Sequence, residues 1–464
     1  MKMLFIIPQF LSGGSRYTHA PQVIPYLGIA YMSAVIKQNG YEVYIIDAIA
    51  ERLSKKNLME RIKEINPDVV GLTAPTQQIY DAYEIASIVK SISSRTITVI
   101  GGYHASALPE QTLKDFDSFD YLIHGEGEYA LLELLNAISK NNIEQLKTID
   151  GLAYREGNNV IVNLHNNYID LNTLPMPDFN EFKLEIYKPF YTFISHDLRE
   201  LPIMTSRGCP YDCVFCYRSG GDIVRYRDIE SVIEEIKRDI DVYGVNQILF
   251  VDETFTLNMK RTSAICDRLI ETGLSKRIEW GCETRVDVVN KELLVKMRRA
   301  GCRVISYGIE SGAQEILDKA TKGLKIEDIE KAVQWTKEAD IQIYANFIIG
   351  LPYDTEETIK KTIRFSIGLD PDAASFSILT PFPGTGLIDM VKKGEGGLKI
   401  ISYDWRDYGK QVGKSLELNN ISRRKLEALQ RKAYMRFYIR PKKFINLFKI
   451  IGLKTFIKYL LDFI

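Results

Sequence analysis

Cys209-Pro-Tyr-Asp-Cys213-Val-Phe-Cys216-Tyr217, preceded by Pro202-Ile-Met-Thr-Ser-Arg-Gly208, is the stretch on which the reading of this chain turns. Three cysteines at C-x3-C-x2-C spacing follow a short apolar run that predicts a strand, so they share one loop. Thiolates placed in this way can reach three corners of an iron–sulfur cube and leave the fourth iron without a protein ligand. An iron with an open position is equipped to bind a substrate. A structural zinc would need a fourth ligand, and neither a histidine nor a further cysteine lies close by in the sequence. Three clustered thiols cannot pair evenly as disulfides, and no signal peptide precedes them.

With that spacing, and with the aromatic Phe215 just before the last cysteine, the chain resembles the radical S-adenosylmethionine (radical SAM) family. The resemblance implies a 4Fe-4S cluster on Cys209, Cys213 and Cys216, with the amino and carboxylate groups of S-adenosylmethionine at the open iron. One-electron cleavage to a 5′-deoxyadenosyl radical, which abstracts an unactivated hydrogen, is the implied chemistry. An electron donor such as ferredoxin or flavodoxin is the implied partner.

Downstream of the loop, strand-then-helix units recur about every 30 to 40 residues, with strands predicted at Gln247–Val251, Ile278–Cys282, Val304–Ile309, Gln342–Ile349 and Ser375–Leu379. Together with Pro202–Thr205 they predict a partial (β/α)6 barrel over 201–395 rather than a closed eightfold one. Chemistry in such barrels gathers at the carboxyl ends of the strands. Those ends carry Asp252-Glu253, Glu283 and Arg285, Glu310-Ser311, Asn346 to Gly350, and Thr380 to Thr385. A carboxylate at a strand end is often a cap or a surface ion pair, but five such ends in register with the cysteine loop describe a site. The resemblance implies that Phe215, Asp252, Glu253, Arg285, Glu310, Ser311, Asn346 and Gly350 bind S-adenosylmethionine. Cys266, Cys282 and Cys302 lie apart and read as buried free thiols. Too few cysteines remain for a second cluster, which argues against a methylthiotransferase.

Residues 1–150 alternate short β-rich runs (Met3–Ile7, Glu42–Ile46, Asp68–Thr73, Thr96–Ile100, Tyr121–His124) with helical patterns over Leu27–Gln38, Leu58–Ile65, Ile79–Ser93 and Tyr129–Ser139. This alternation demands crossovers and predicts an α/β, doubly wound, Rossmann-like parallel sheet with ligands at its carboxyl edge. Small residues crowd that edge: Gly13-Gly14, Thr73-Ala74-Pro75, Gly101-Gly102-Tyr103-His104 and Gly125-Glu126-Gly127-Glu128. The pattern resembles the cobalamin-binding domain that precedes the radical domain in one large subgroup. It implies cobalamin contacts from Gly13, Thr73, Gly101, Gly102, His104, Gly125 and Glu126. The DxHxxG motif, by which other cobalamin domains present a histidine to cobalt, is missing. His19, the one histidine of the first loop, has neither its aspartate nor its glycine, so the cobalt's lower face is expected to lack that ligand. The plainer reading is a cobalamin-like domain that has lost its ligand and caps the barrel.

Between the domains, 151–200 reads as a β-hairpin about Glu156-Gly-Asn-Asn159 and a proline-rich linker, with aromatic Tyr187–Phe193 suited to core packing or to a pocket wall. From 396 to 464 the chain reads as helical and basic. Leu416–Tyr438 is charged, and the lysine-rich amphipathic remainder fits either the barrel surface or a membrane interface. No apolar run approaches the ~18 residues of a spanning helix. Lys+Arg and Asp+Glu are 60 each in 464 residues, which gives no electrostatic case for nucleic acid, and half of the six cysteines sit in one loop, as in a reducing compartment. The enzyme is therefore expected in the cytoplasm, or peripheral to a membrane.

The implied reaction is methylation of an unactivated carbon in a small-molecule or lipid-like substrate, with cobalamin as methyl carrier. The alternatives are a non-methylating enzyme of the same type, such as an oxidative cyclase or a carbon–carbon bond-forming enzyme of tetrapyrrole or lipid pathways, and a non-catalytic sensor.

Overall fold

The structure, a computed structural model, describes residues 1–8, 24–189, 198–409, 413–441 and 443. The chain forms two compact units. One comprises Met1–Lys188 with Arg218–Gly221 and Arg225–Arg227, and the other takes the rest. The proline-rich segment through Lys188 thus goes with the first unit, as do two short pieces that follow the cysteine loop.

The first unit is built on a seven-stranded sheet. Its parallel part runs Glu42–Asp47, Lys2–Ile7, Val69–Thr73, Ile97–Gly101 and Tyr121–Ile123, in that spatial order. Chains of β-branched and aliphatic residues make these strands, and covering helices on both faces bury them. Leu4, Ile6, Ile46, Val70, Ile100 and Leu122 are fully buried, as expected of a parallel sheet with no solvated face. The predicted hairpin is present as Leu152–Glu156 and Asn159–Val162, but it is more than a connection. It adds two antiparallel strands to the sheet, with Tyr121 opposite Tyr154 and Ile123 opposite Leu152. The hairpin thereby pairs the backbone groups that the strand Tyr121–Ile123 would otherwise leave at an open edge.

The second unit has a six-stranded all-parallel sheet in sequence order: Glu200–Ile203, Gln247–Phe250, Glu279–Thr284, Cys302–Glu310, Gln342–Ile349 and Ala373–Ile378. The first and last strands are not paired with each other, so the sheet stays open. Along Gln342–Ile349 burial alternates. Ile343, Ala345, Phe347 and Ile349 lie fully buried under helices, while Tyr344, Asn346 and Ile348 are only half-buried on the opposite face. The helix Ile229–Tyr243 buries Val232, Ile233 and Ile236 at helical spacing and stops at Gly244, whose φ of 66° suits glycine.

The C-terminal part differs from expectation at one point. Leu416–Leu418 is a strand, antiparallel to Leu398–Ile400, because Leu416 and Leu418 alternate with a glutamate that pairs with Lys399. The helix begins later, at Arg423, and runs to Tyr438. It covers the free edge of Ala373–Ile378. Tyr438 Oη accepts the Ala374 N–H and donates to its carbonyl, Tyr434 Oη accepts the Phe376 N–H, and Gln430 donates to Phe376 O. Side chains thus satisfy the backbone groups that an edge strand leaves open. Gly13, His19, Phe190 to Phe193 and nearly all of the basic tail beyond Arg440 lie outside the described residues. Among the described residues no helix is long and apolar enough to cross a membrane.

Candidate functional site

The cysteine loop leaves the strand Glu200–Ile203 at the carboxyl edge of the open sheet, and Asp252, at the end of the neighbouring strand, holds it there. That carboxylate accepts the Thr205 N–H at 2.6 Å, the Thr205 hydroxyl at 2.6 Å and the Ser206 hydroxyl at 2.7 Å, and it also takes a hydrogen bond from the Ser206 backbone. Its acceptor capacity is thus engaged within the protein and only 1% of its surface is exposed, so Asp252 anchors the loop. Its neighbour Glu253 is exposed and is engaged at one oxygen by Gly208 N–H at 3.3 Å. Further along, the loop is tied by Val214 N–H to Ala320 O, by the Thr321 hydroxyl to Asp212 O, and by Leu387 N–H to Val214 O.

Cys209 and Cys213 are half-buried and Cys216 is exposed, and none is in a disulfide. Two cations face them. The Arg285 guanidinium lies 3.6 Å from the Tyr211 ring centre, places Nη1 4.0 Å from Cys213 Sγ, and is itself fixed by Asp287 and by Lys322 O. Lys322 Nζ stands 2.9 Å from Glu310 Oε1 and 5.7 Å from the Phe215 ring centre. Burial alone would neutralise this lysine, but the charges of Glu310 and Cys213 outweigh it and hold the ammonium's pKa above its ordinary value. Burial pushes the Cys213 thiol up, while Lys322 and Arg285 pull it back toward the thiolate that a metal ligand needs. Among the described residues no three His, Cys, Asp or Glu side chains are gathered as a single metal ion would require. Three thiols that form no disulfide, on one tied loop under two cations, do suit a cluster that carries net negative charge. Cys266, Cys282 and Cys302 are fully buried elsewhere, as the sequence suggested.

The remaining candidates on this unit divide in two. Asn346 lies at the same level of the half-buried face as Gly308 and Ser375 on the neighbouring strands, donating to Ser306 Oγ at 2.9 Å and accepting from Ser375 Oγ at 2.7 Å. Gly350, at φ 84°, gives its N–H to Asp354. Glu310 is held at φ 67°, a conformation that costs a non-glycine residue about 1 kcal/mol or more and is retained where a site demands it. Ser311 is different. It is buried at 1%, accepts the Ala313 N–H at 3.2 Å and meets the Thr362 hydroxyl at 3.1 Å, and so shapes the turn.

On the first unit, Thr73, Gly101, Gly102 and Gly125 come together at the carboxyl edge of the parallel strands. Gly102 has φ 92°, and a Cβ there would stand 2.7 Å from Thr73 Oγ1 and 2.9 Å from Ala74 N, so only glycine lets these loops close up. Two candidates are engaged within the protein. His104 is 1% exposed, and burial lowers its pKa to about 4; it is a neutral core histidine. Glu126 gives both oxygens to Arg225 at 2.9 Å and also accepts the Ile169 N–H at 2.8 Å, so its carboxylate ties chain segments together. Lys322 and Arg225 escape a sequence reading because neither stands in a motif or at a predicted strand end.

The His104 shift has a consequence for stability. A histidine held neutral in the fold contributes above its ordinary pKa of 6.5, and the contribution disappears as pH falls through the window from 6.5 to about 4. The span is worth about 3 kcal/mol. Urea unfolding of wild type and His104→Gln, at about pH 7 and again near pH 4.5, should show the wild type losing more stability on acidification than the variant. Equal losses would show that His104 is not the group that must take up a proton.

Residues 203–366 match the radical SAM superfamily and residues 17–135 match the B12 binding domain. An uncharacterized methyltransferase of Pyrococcus horikoshii is 35% identical over 453 residues, covering 96% of this chain and 94% of that protein. The anaerobic magnesium-protoporphyrin IX monomethyl ester cyclase of Cereibacter sphaeroides is 33% identical over 84% of this chain and 64% of its own length. Two solved structures share the fold. The radical S-adenosylmethionine methyltransferase TsrM of Kitasatospora setae, with cobalamin and a 4Fe-4S cluster bound, gives a TM-score of 0.72 at 20% identity over 89% of this chain and 82% of that one. The cobalamin-dependent radical enzyme OxsB, with aqua-cobalamin and S-adenosylmethionine bound, gives 0.74 at 18% identity over 94% and 67%. A three-thiol loop on an open parallel sheet, a glycine-lined doubly wound sheet ahead of it and a near end-to-end relative agree: the chain belongs to the cobalamin-dependent radical S-adenosylmethionine enzymes.

Proposed function

We propose that this enzyme methylates an unactivated carbon of a small molecule, a class that includes lipid-like substrates, in a reducing cytoplasmic setting. The observation that carries the reading is that one chain holds both a three-thiol loop under two buried cations and a carboxyl sheet edge whose loops close up on Gly102. Methyl transfer is favoured over cyclisation because the match to the methyltransferase runs nearly end to end in both chains, whereas the cyclase extends well beyond the matched part.

Bound together, the cluster, S-adenosylmethionine and cobalamin supply radical generation and methyl carriage; the protein binds, orients and insulates them. Cys209, Cys213 and Cys216 would hold the cluster, leaving one iron for the cofactor's amino-acid end. Lys322 is the buried cation suited to that cofactor's carboxylate, with Glu310 fixing the ammonium in place. Glu253, exposed at the strand end, is suited to the amino group, and Asn346 and the Gly350 backbone to the nucleoside. Arg285 braces the loop through Tyr211 and Cys213. Backbone groups of Thr73, Gly101, Gly102 and Gly125 would approach cobalamin. Ferredoxin or flavodoxin would deliver the electron, and the basic tail would give peripheral membrane contact for a lipid-like substrate.

Counting products of the reconstituted enzyme tests the reading. Methyl transfer gives S-adenosylhomocysteine and 5′-deoxyadenosine together, with label from methyl-deuterated S-adenosylmethionine appearing in the substrate. Formation of 5′-deoxyadenosine alone, with turnover, would replace methylation by the cyclase-type reaction.

A further inference from the structure

Of the histidines described, His104 is buried, and His124 Nε2 meets Asn163 O at 2.9 Å. His165 is set up differently. Its Nδ1 lies 2.6 Å from Asp150 Oδ2, and the other oxygen of that carboxylate accepts the Asn166 N–H at 3.0 Å. A carboxylate at Nδ1 keeps the proton there and leaves the lone pair on Nε2, the arrangement in which imidazole serves as a ligand or as an acceptor. Among the described residues Nε2 makes no hydrogen bond, and the ring packs edge-on against the rings of His124 and Tyr168. The side chain is 16% exposed, neither sealed in a core nor loose in solvent.

Its position decides what this nitrogen can meet. The hairpin strand Asn159–Val162 returns the chain to the carboxyl end of Tyr121–Ile123, and His165 follows three residues later. There the ring lies against Gly125, where a Cβ would stand 2.5 Å from Cδ2 and 2.6 Å from Nε2. Gly125 has φ 78° and gives its N–H to Ser106 Oγ at 3.1 Å, from the short helix that follows Gly101-Gly102. The imidazole is therefore part of the same glycine-lined edge. The first loop carries no DxHxxG histidine.

We propose that His165, aimed by Asp150, is a cobalamin-binding residue whose Nε2 lone pair engages an electron-pair acceptor of the bound cofactor. That acceptor is either a side-chain amide N–H of the corrin or the cobalt itself. The inference rests on cobalamin being bound at this edge.

The test uses the full chain carrying its cluster and loaded anaerobically with hydroxocobalamin, with cobalamin affinity as the readout. His165→Ala should bind at least about 10-fold more weakly, and Asp150→Asn, which loosens the tautomer, about 10-fold more weakly. If the partner is an amide N–H, His165→Asn restores most of the affinity, because its carbonyl still accepts. If the partner is cobalt, His165→Asn restores nothing, and nitrogen splitting in the electron paramagnetic resonance of the cobalt(II) form is seen in wild type and is absent from the variant. Affinity of His165→Ala within about twofold of wild type overturns the proposal. Failure of wild type to retain any cobalamin would instead overturn the premise. A measurement on wild type alone guards against a variant that fails to fold. Diethylpyrocarbonate should acylate His165 in cobalamin-free protein, and bound cobalamin should protect it, as read by peptide mass spectrometry; equal acylation in both states overturns the proposal.

Discussion

Lys322→Met is expected to remove most of the affinity for S-adenosylmethionine while leaving the cysteine loop able to take up iron and sulfide. The lysine and its partner Glu310 are each only 8% exposed at the side chain and stand 2.9 Å apart. A charge-assisted contact of this kind contributes about 1.5 to 3 kcal/mol, so loss of the ammonium should weaken binding roughly 10- to 150-fold. The single change also strands Glu310 as a buried carboxylate without its cation, a situation that costs about 3 to 5 kcal/mol unless the acid takes up a proton. The double variant Lys322→Met with Glu310→Gln separates the two effects, since it removes the stranded charge but restores no cation. Lys322→Arg should keep a large part of the affinity. Equilibrium dialysis of the reconstituted proteins, with iron content measured alongside, decides the matter. Binding by Lys322→Met within about twofold of wild type would show that Glu310 and Lys322 only shape the turn.

Cys213→Ala should abolish the cluster, and with it all reductive cleavage of S-adenosylmethionine. Of the three loop thiols, Cys213 is the one whose sulfur lies 4.0 Å from Arg285 Nη1 and within the field of Lys322. Three thiolates anchor three irons, and a loop with two offers no stable seat for a cube with one open corner. The control is Cys282→Ala, which removes a thiol that is fully buried in the sheet of the same unit. Burial drives the pKa of that thiol upward, away from the thiolate a ligand must be. Iron and sulfide per chain after anaerobic reconstitution should fall to background in Cys213→Ala and stay at the wild-type level in Cys282→Ala. The reverse pattern would remove the loop from the chemistry.

Much of this was written in local patterns. The three-cysteine spacing, the strand-helix alternation on both sides of it and the glycines after each strand are properties of neighbouring residues, and short-range sterics and hydrophobic periodicity act on neighbours. For the same reason the chain discloses parallel sheets and the edges at which ligands sit. Three outcomes depended on residues far apart in sequence. Asp252 and Ser311 look like ligand contacts from their strand ends, yet Thr205, Ser206 and Thr362 claim their polar atoms once the strands are side by side. Glu126 looks like part of a cobalamin loop, but Arg225, some hundred residues on, takes both its oxygens. Lys322 carries no local signal; only the fold brings it to Glu310 and the cysteine loop. What the sequence by itself determined is which elements form and what chemistry the loop can hold, because both follow from spacing along the chain. Which carboxylates remain open to a cofactor and which cation stands over the thiols was decided by tertiary structure alone, because a buried polar group takes whichever partner the fold brings within hydrogen-bonding reach.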